Sequence, residues 1–145
     1  MLRRSLCLAS LGLALAGTAT LEAGCSKPEP QQSQASVSLS GVKSAITSVT
    51  GYDASTFDVA ATGSQLMVKV INSPLAGRSA VEREGEAQRI ATAVAASIAG
   101  KPEFASLNGI HVDYVVRNSD GSGAHVVDGV DFRKDPAGVF QHHMT

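Results

Sequence analysis

Two hydrophobic periods divide the chain. Leu39, Val42, Ile46 and Val49 recur three and four residues apart. That spacing predicts a helix with one apolar stripe, closed by Gly51 as a C-cap. From Phe57 the period drops to two. Phe57, Val59 and Ala61 alternate with Asp58 and Ala60; after Thr62-Gly63-Ser64-Gln65, Leu66, Val68 and Val70 alternate with Met67, Lys69 and Ile71. Opposing Ala61 to Leu66 sets Val59 against Val68 and Phe57 against Val70, so a hairpin in that register presents one apolar face. Asn72-Ser73-Pro74 ends it.

The helical period then returns. Ser79-Ala80-Val81-Glu82 has the form of a capping box, in which the serine oxygen takes an orphan amide and the glutamate reaches back. Ala87, Ile90, Ala91, Val94 and Ile98 share one face, with Glu82, Arg83, Glu86 and Arg89 largely on others. Gly100 and Pro102 supply the stop. The alanines on the apolar face predict close approach to a sheet. Asn108-Gly109 turns the chain into a strand from Ile110 to Arg117, and Asn118 to Gly123 leads into another reaching about Lys134. Turn chemistry at Asp135-Pro136-Ala137-Gly138 precedes a last short apolar run, Val139 to Met144, in which Phe140 folds back toward Phe132. The expectation is an α+β fold in two layers, α-β-β-α-β-β, with an antiparallel sheet of four or five strands and two helices on one face.

The N-terminus has a different pattern. Arg3 and Arg4 precede an apolar run from Leu6 to Ala19, too short for a hydrocarbon core that needs about 20 residues. Small residues and Ala23-Gly24-Cys25 follow. This order of basic, apolar and small-residue regions reads as a bacterial export signal. Its end resembles the processing site of bacterial lipoproteins, in which a pair of small residues precedes a lipid-modified cysteine; Glu22 stands where that family usually carries Leu, Val or Ile. The resemblance implies a covalent lipid such as palmitate at Cys25 and an anchor in an envelope membrane, on the periplasmic or surface side. Cleavage after Ala23 or after Ala16 by ordinary signal peptidase is the alternative, giving a soluble periplasmic or secreted protein. Residues 26–36 contain no hydrophobic side chain larger than alanine and read as a disordered tether. The expected organisation is thus a signal over 1–24, a lipid-attachment cysteine and tether over 25–36, and one domain over 37–145.

Charge and cysteine usage narrow the functions open to that domain. The chain has twelve Lys/Arg and thirteen Asp/Glu; without Arg3, Arg4 and Glu22 the counts are ten and twelve, a net charge of about −2. No basic stripe is present to release counterions, which argues against nucleic-acid binding. Cys7 lies in the signal and Cys25 at its edge, so the domain has no thiol for disulfides, cysteine-based zinc sites or nucleophilic catalysis.

Candidate chemistry concentrates near the C-terminus. If Ile110, Val112, Tyr114 and Val116 face the helices, strand alternation turns His111, Asp113 and Arg117 outward. Matching Val126, Val130 and Phe132 to the core likewise turns His125, Asp131 and Arg133 outward and leaves Asp128 among apolar neighbours. The outward residues make either a metal or anion site or a solvated charge lattice. His111, Asp113, His125, Asp131, His142 and Met144 are the candidate metal ligands, the last two sharing a strand face that suits copper. Asp128 is a candidate acid or base beside Tyr114, or, through a bulge at Gly129, a residue whose side chain turns to solvent or to a backbone amide. No Gly-x-Ser-x-Gly, P-loop, Rossmann glycine signature or His-Glu-x-x-His occurs. The leading expectation is therefore a tethered, non-enzymatic binding or structural domain acting on an envelope protein, peptide or cell-wall component, with no cofactor beyond the lipid at Cys25. A periplasmic metal-binding or sensing domain is the alternative, and a hydrolase using Asp128 a third.

Overall fold

In a computed structural model of the protein, residues 32–144 are described, with side chains from Leu39 onward. The proposed signal, Cys25 and the first part of the tether lie outside them. Helix α1 (Gln32–Thr50) leads to strands β1 (Phe57–Thr62) and β2 (Gln65–Ile71); helix α2 (Ala80–Ile98) leads to β3 (Gly109–Arg117), β4 (Ala124–Lys134) and β5 (Phe140–His142). The fold is α+β, with both helices packed on one face of a five-stranded sheet in the spatial order β1-β2-β3-β4-β5. Helix α1 begins at Gln32, so the tether's expected last five residues, 32–36, continue the helix instead.

The β1–β2 hairpin takes the register set by its alternation: Phe57 opposes Val70, Val59 opposes Val68 and Ala61 opposes Leu66. The sheet is mixed, which corrects the antiparallel expectation at one place: β2 and β3 run parallel. The reason is the connection, since α2 crosses over the sheet between them and returns the chain in the same direction. All other neighbours are antiparallel.

The core lies between helices and sheet. Val42 and Ile46 of α1 meet Ala87, Ile90, Ala91, Val94 and Ile98 of α2 and the inward sides of all five strands, with Tyr114, Phe57 and Phe132 among the largest buried side chains. Burying each Val, Ile or Phe there is worth about 1.5–3 kcal/mol. Val49, predicted on the α1 stripe, is 44% exposed, beside Gln88, Thr92 and Ala96 on the outer side of α2. Ser79 caps α2 with the complete capping box: its hydroxyl accepts from the Glu82 amide, while Glu82 accepts from the Ser79 amide at 3.1 Å. Gly51 and Gly138 supply positive φ, at the end of α1 and in the β4–β5 turn respectively.

The helices leave the opposite face of the sheet open. Along it, Met67, His111 and Asp131 occupy one cross-strand row, and Lys69, Asp113 and Gly129 the next. No helix among the described residues is long and apolar enough to cross a membrane.

Candidate functional site

The open face is organised around His111. Alternation along β3 turns it away from Ile110 and Val112, and the antiparallel register brings Asp131 of β4 directly opposite. Nδ1 lies 2.9 Å from Asp131 Oδ1 and Nε2 lies 2.8 Å from Asp113 Oδ1. A neutral imidazole has one donor and one acceptor, so only the imidazolium can donate to both carboxylates. Burial is the strongest single influence and disfavours that charge. The hydrogen bonds to Asp131 and Asp113, with their coulombic attraction, together outweigh it and raise the His111 pKa above its ordinary value.

Gly129 makes the arrangement possible. A Cβ there would stand 3.2 Å from His111 Cε1 and 3.3 Å from Asp113 Oδ1, so the imidazole lies against bare backbone. A glycine inside a strand is the sequence signal for such an approach. The three groups also stiffen one another: Asp113 is only 9% exposed although it points to the uncovered side.

The other sequence candidates lie elsewhere. The β3–β4 register shifts between Tyr114 and Val115, where Asp128 opposes Tyr114, Val126 opposes Val115 and Val127 is passed over. One extra residue reverses the facing of everything before it. Val126, expected in the core, therefore joins the open face and is 56% exposed, while His125 opposes Val116 on the parity opposite to His111. His142 opposes Phe132 on the helix side, where Nδ1 pairs with Glu84 Oε1 at 2.8 Å and the ring packs on Phe132. Met144 is 86% exposed beyond β5. Of the six candidate ligands the fold thus gathers three: His111, Asp113 and Asp131. Among the described residues no set of three His, Cys, Asp or Glu side chains is arranged to hold a metal ion.

Asp128 does face the helices. Its Oδ2 accepts from Arg83 Nε at 2.7 Å and its Oδ1 from the Gly129 amide at 2.9 Å. The bulge lies at Val127, before Asp128, and of the alternatives for this carboxylate the structure shows the bond to a backbone amide, opposite Tyr114 in the register. Arg83 also donates to the carbonyls of Ala76 and Arg78, which ties the loop after β2 to α2 and β4. Tyr114 donates to the Arg83 carbonyl at 2.8 Å.

A second polar cluster was not foreseen. Glu86 is 2% exposed on the inner face of α2, and its Oε1 accepts from Tyr52 Oη at 2.7 Å. Its Oε2 has no hydrogen-bond partner. Burial, and then the hydrogen bond to Glu86, raises the Tyr52 pKa. Burial, and then the Glu86 charge, raises that of Tyr114. The signal was available in the spacing, since Glu86 precedes Ile90 by four residues and Val94 by eight and so belongs to the apolar stripe. Its charge hid it.

Comparison with protein-family models found no match, and comparison with curated proteins found none either.

Proposed function

We propose that this chain is an exported lipoprotein, modified at Cys25, whose α+β domain is a non-enzymatic binding or structural module held beside an envelope membrane. The observation that supports the module reading is that His111 on the open face and Asp128 at the bulge are fully partnered, the unpartnered Glu86 Oε2 being enclosed in the core. Both ring nitrogens of His111 and both oxygens of Asp128 have partners within the domain. A general acid, base or nucleophile needs an atom free to reach substrate. Here these atoms brace strand against strand and sheet against helix. The anchor rests on the order Arg3-Arg4, apolar run, Ala23-Gly24-Cys25.

Cys25→Ser tests the anchor. Metabolic labelling with a fatty-acid analogue and membrane fractionation should both be lost in the variant. Unchanged labelling would overturn the lipoprotein reading and leave a soluble exported protein, cut after Ala23 or Ala16.

A metal-binding domain is the second reading: His111, Asp113 and Asp131 lie together on the open face, with the two carboxylates on opposite ring nitrogens, 2.8 and 2.9 Å away. An ion on the imidazole would have to displace one carboxylate's hydrogen bond. Elemental analysis of protein purified without a histidine tag decides it: stoichiometric Cu, Zn or Ni supports a site, and less removes it.

A further inference from the structure

Strand β5 forms one edge of the sheet, and its backbone orientation is fixed by two hydrogen bonds. The His143 amide donates to the Asp131 carbonyl and the Asp135 amide to the Val139 carbonyl, both at 2.8 Å. In an antiparallel ladder, hydrogen-bonded and non-hydrogen-bonded pairs alternate. Residues 139, 141 and 143 therefore bond to β4, and the N–H and C=O groups of Phe140 and His142 point away from the sheet. Beside this edge, on the helix side, a groove of about 480 Å³ opens between the end of α2, the turn at Pro102–Phe104 and the β4–β5 hairpin. Ala95, Ile98, Phe104 and Phe140 give it an apolar lining. Lys101 and Lys134 are the charged residues that line it, and the Lys134 ammonium stands 5.2 Å from the centre of the Phe140 ring. Among the described residues no carboxylate lines it.

A ligand suited to all three features has backbone groups for a strand edge, an apolar group for the groove and a negative charge for the lysines. We propose that β5 and this groove bind the free C-terminus of a partner polypeptide whose last residue is apolar. The segment adds antiparallel to β5, bonding to the outward groups of Phe140 and His142. Its final side chain enters the groove, and its terminal carboxylate meets the Lys134 ammonium over Phe140, while Lys101, whose ammonium lies toward Gly41 of α1, adds positive charge at the far wall. The Glu84–His142 ion pair holds β5 against α2 at the other end of the strand. The proposal rests on reading the domain as a binding module and is independent of lipidation at Cys25.

The test uses the purified full chain and fluorescein-labelled hexapeptides of alternating Ala and Thr that end in Leu, Val, Phe or Glu. Each is made as the free acid and as the C-terminal amide, and binding is read by anisotropy. The acids ending in Leu, Val or Phe should bind. Amidation, or a terminal Glu, should weaken binding by about tenfold or more. Lys134→Gln should bring acid and amide to the same affinity with the far-ultraviolet circular dichroism unchanged. Bound peptide should slow amide hydrogen exchange at Phe140 and His142, a readout that simple charge attraction to lysine leaves untouched. Equal binding of acid and amide, no binding up to about 1 mM, or unchanged exchange at those two amides would overturn the proposal. So would lysine-dependent binding of anionic phospholipid vesicles without peptide binding, which would make the groove a lipid site. Loss of labelling in Cys25→Ser leaves every one of these outcomes unaffected.

Discussion

Each half of the domain is built as helix, strand, strand, yet the halves differ in kind. In the first, α1, β1 and β2 form a short hairpin of six- and seven-residue strands whose apolar alternation runs without a break. In the second, α2, β3 and β4 carry strands of nine and eleven residues, a bulge, the His111 clamp and the Arg83–Asp128 pair. The first half supplies apolar faces and little else. The second supplies its share of the core and also ties helix, loop and strand together through charged hydrogen bonds. The difference teaches where specificity resides in a domain without disulfides: burial is shared, while the polar pairs that fix register sit on one side.

The largest test asks whether the halves share one core. Phe57 is 2% exposed in the first and Phe132 fully buried in the second. Changing either to alanine should cost about 3–5 kcal/mol in urea unfolding. Because Val42 and Ile46 of α1 pack in one cluster with strands from both halves, each variant should unfold in a single transition. Two separate transitions would show that the halves are independent units.

A smaller effect separates two glycines. Gly129→Ala pushes a methyl group into His111 and Asp113 and should cost about 1–3 kcal/mol. Gly85→Ala, in α2 with nothing within 4 Å of the added carbon, should instead stabilise by about 0.5–1 kcal/mol. A Gly129→Ala protein as stable as wild type would mean that the imidazole does not depend on that bare backbone.

The capping box gives the next step down. Ser79→Ala removes the acceptor for the Glu82 amide and should lower stability by about 1 kcal/mol in the same assay. An unchanged midpoint would place the stability of α2 wholly in its packing.

The most gradual effect is that of pH. The folded state holds the His111 proton more tightly than the unfolded chain does. Its stabilisation is therefore fully present below the ordinary histidine pKa and is lost as pH rises through the raised folded value. Wild-type unfolding midpoints should fall across that window. In His111→Gln the fall attributable to this group should vanish, and Gly129→Ala should shift the NMR titration of His111 back toward the ordinary value. Identical pH profiles for wild type and His111→Gln would sink the clamp as an ionised contact.

What could be read in advance follows the same division. The β1–β2 register and the capping box were visible because local pattern alone decides them. Val126 and His125 were placed on the wrong faces because a single passed-over residue, Val127, reverses alternation, and nothing in a Val-Val pair announces it. Glu86 was missed because charge argues for solvent, whereas the Tyr52 hydroxyl that accompanies it inward comes from 34 residues earlier. His111 and Asp113 were rightly grouped two apart on one face. That Asp131 would complete the clamp required the register of β4.

The sequence alone determined the order of the elements, most of their amphipathic faces and the absence of thiols from the domain, since each depends on neighbours within a few residues. The tertiary structure decided the parallel β2–β3 pairing, the facing of His125 and Val126, the burial of Glu86 and the union of His111 with Asp113 and Asp131. These depend on how strands joined through a crossing helix or an irregular hairpin align, and that alignment is settled by contacts between residues far apart in the chain.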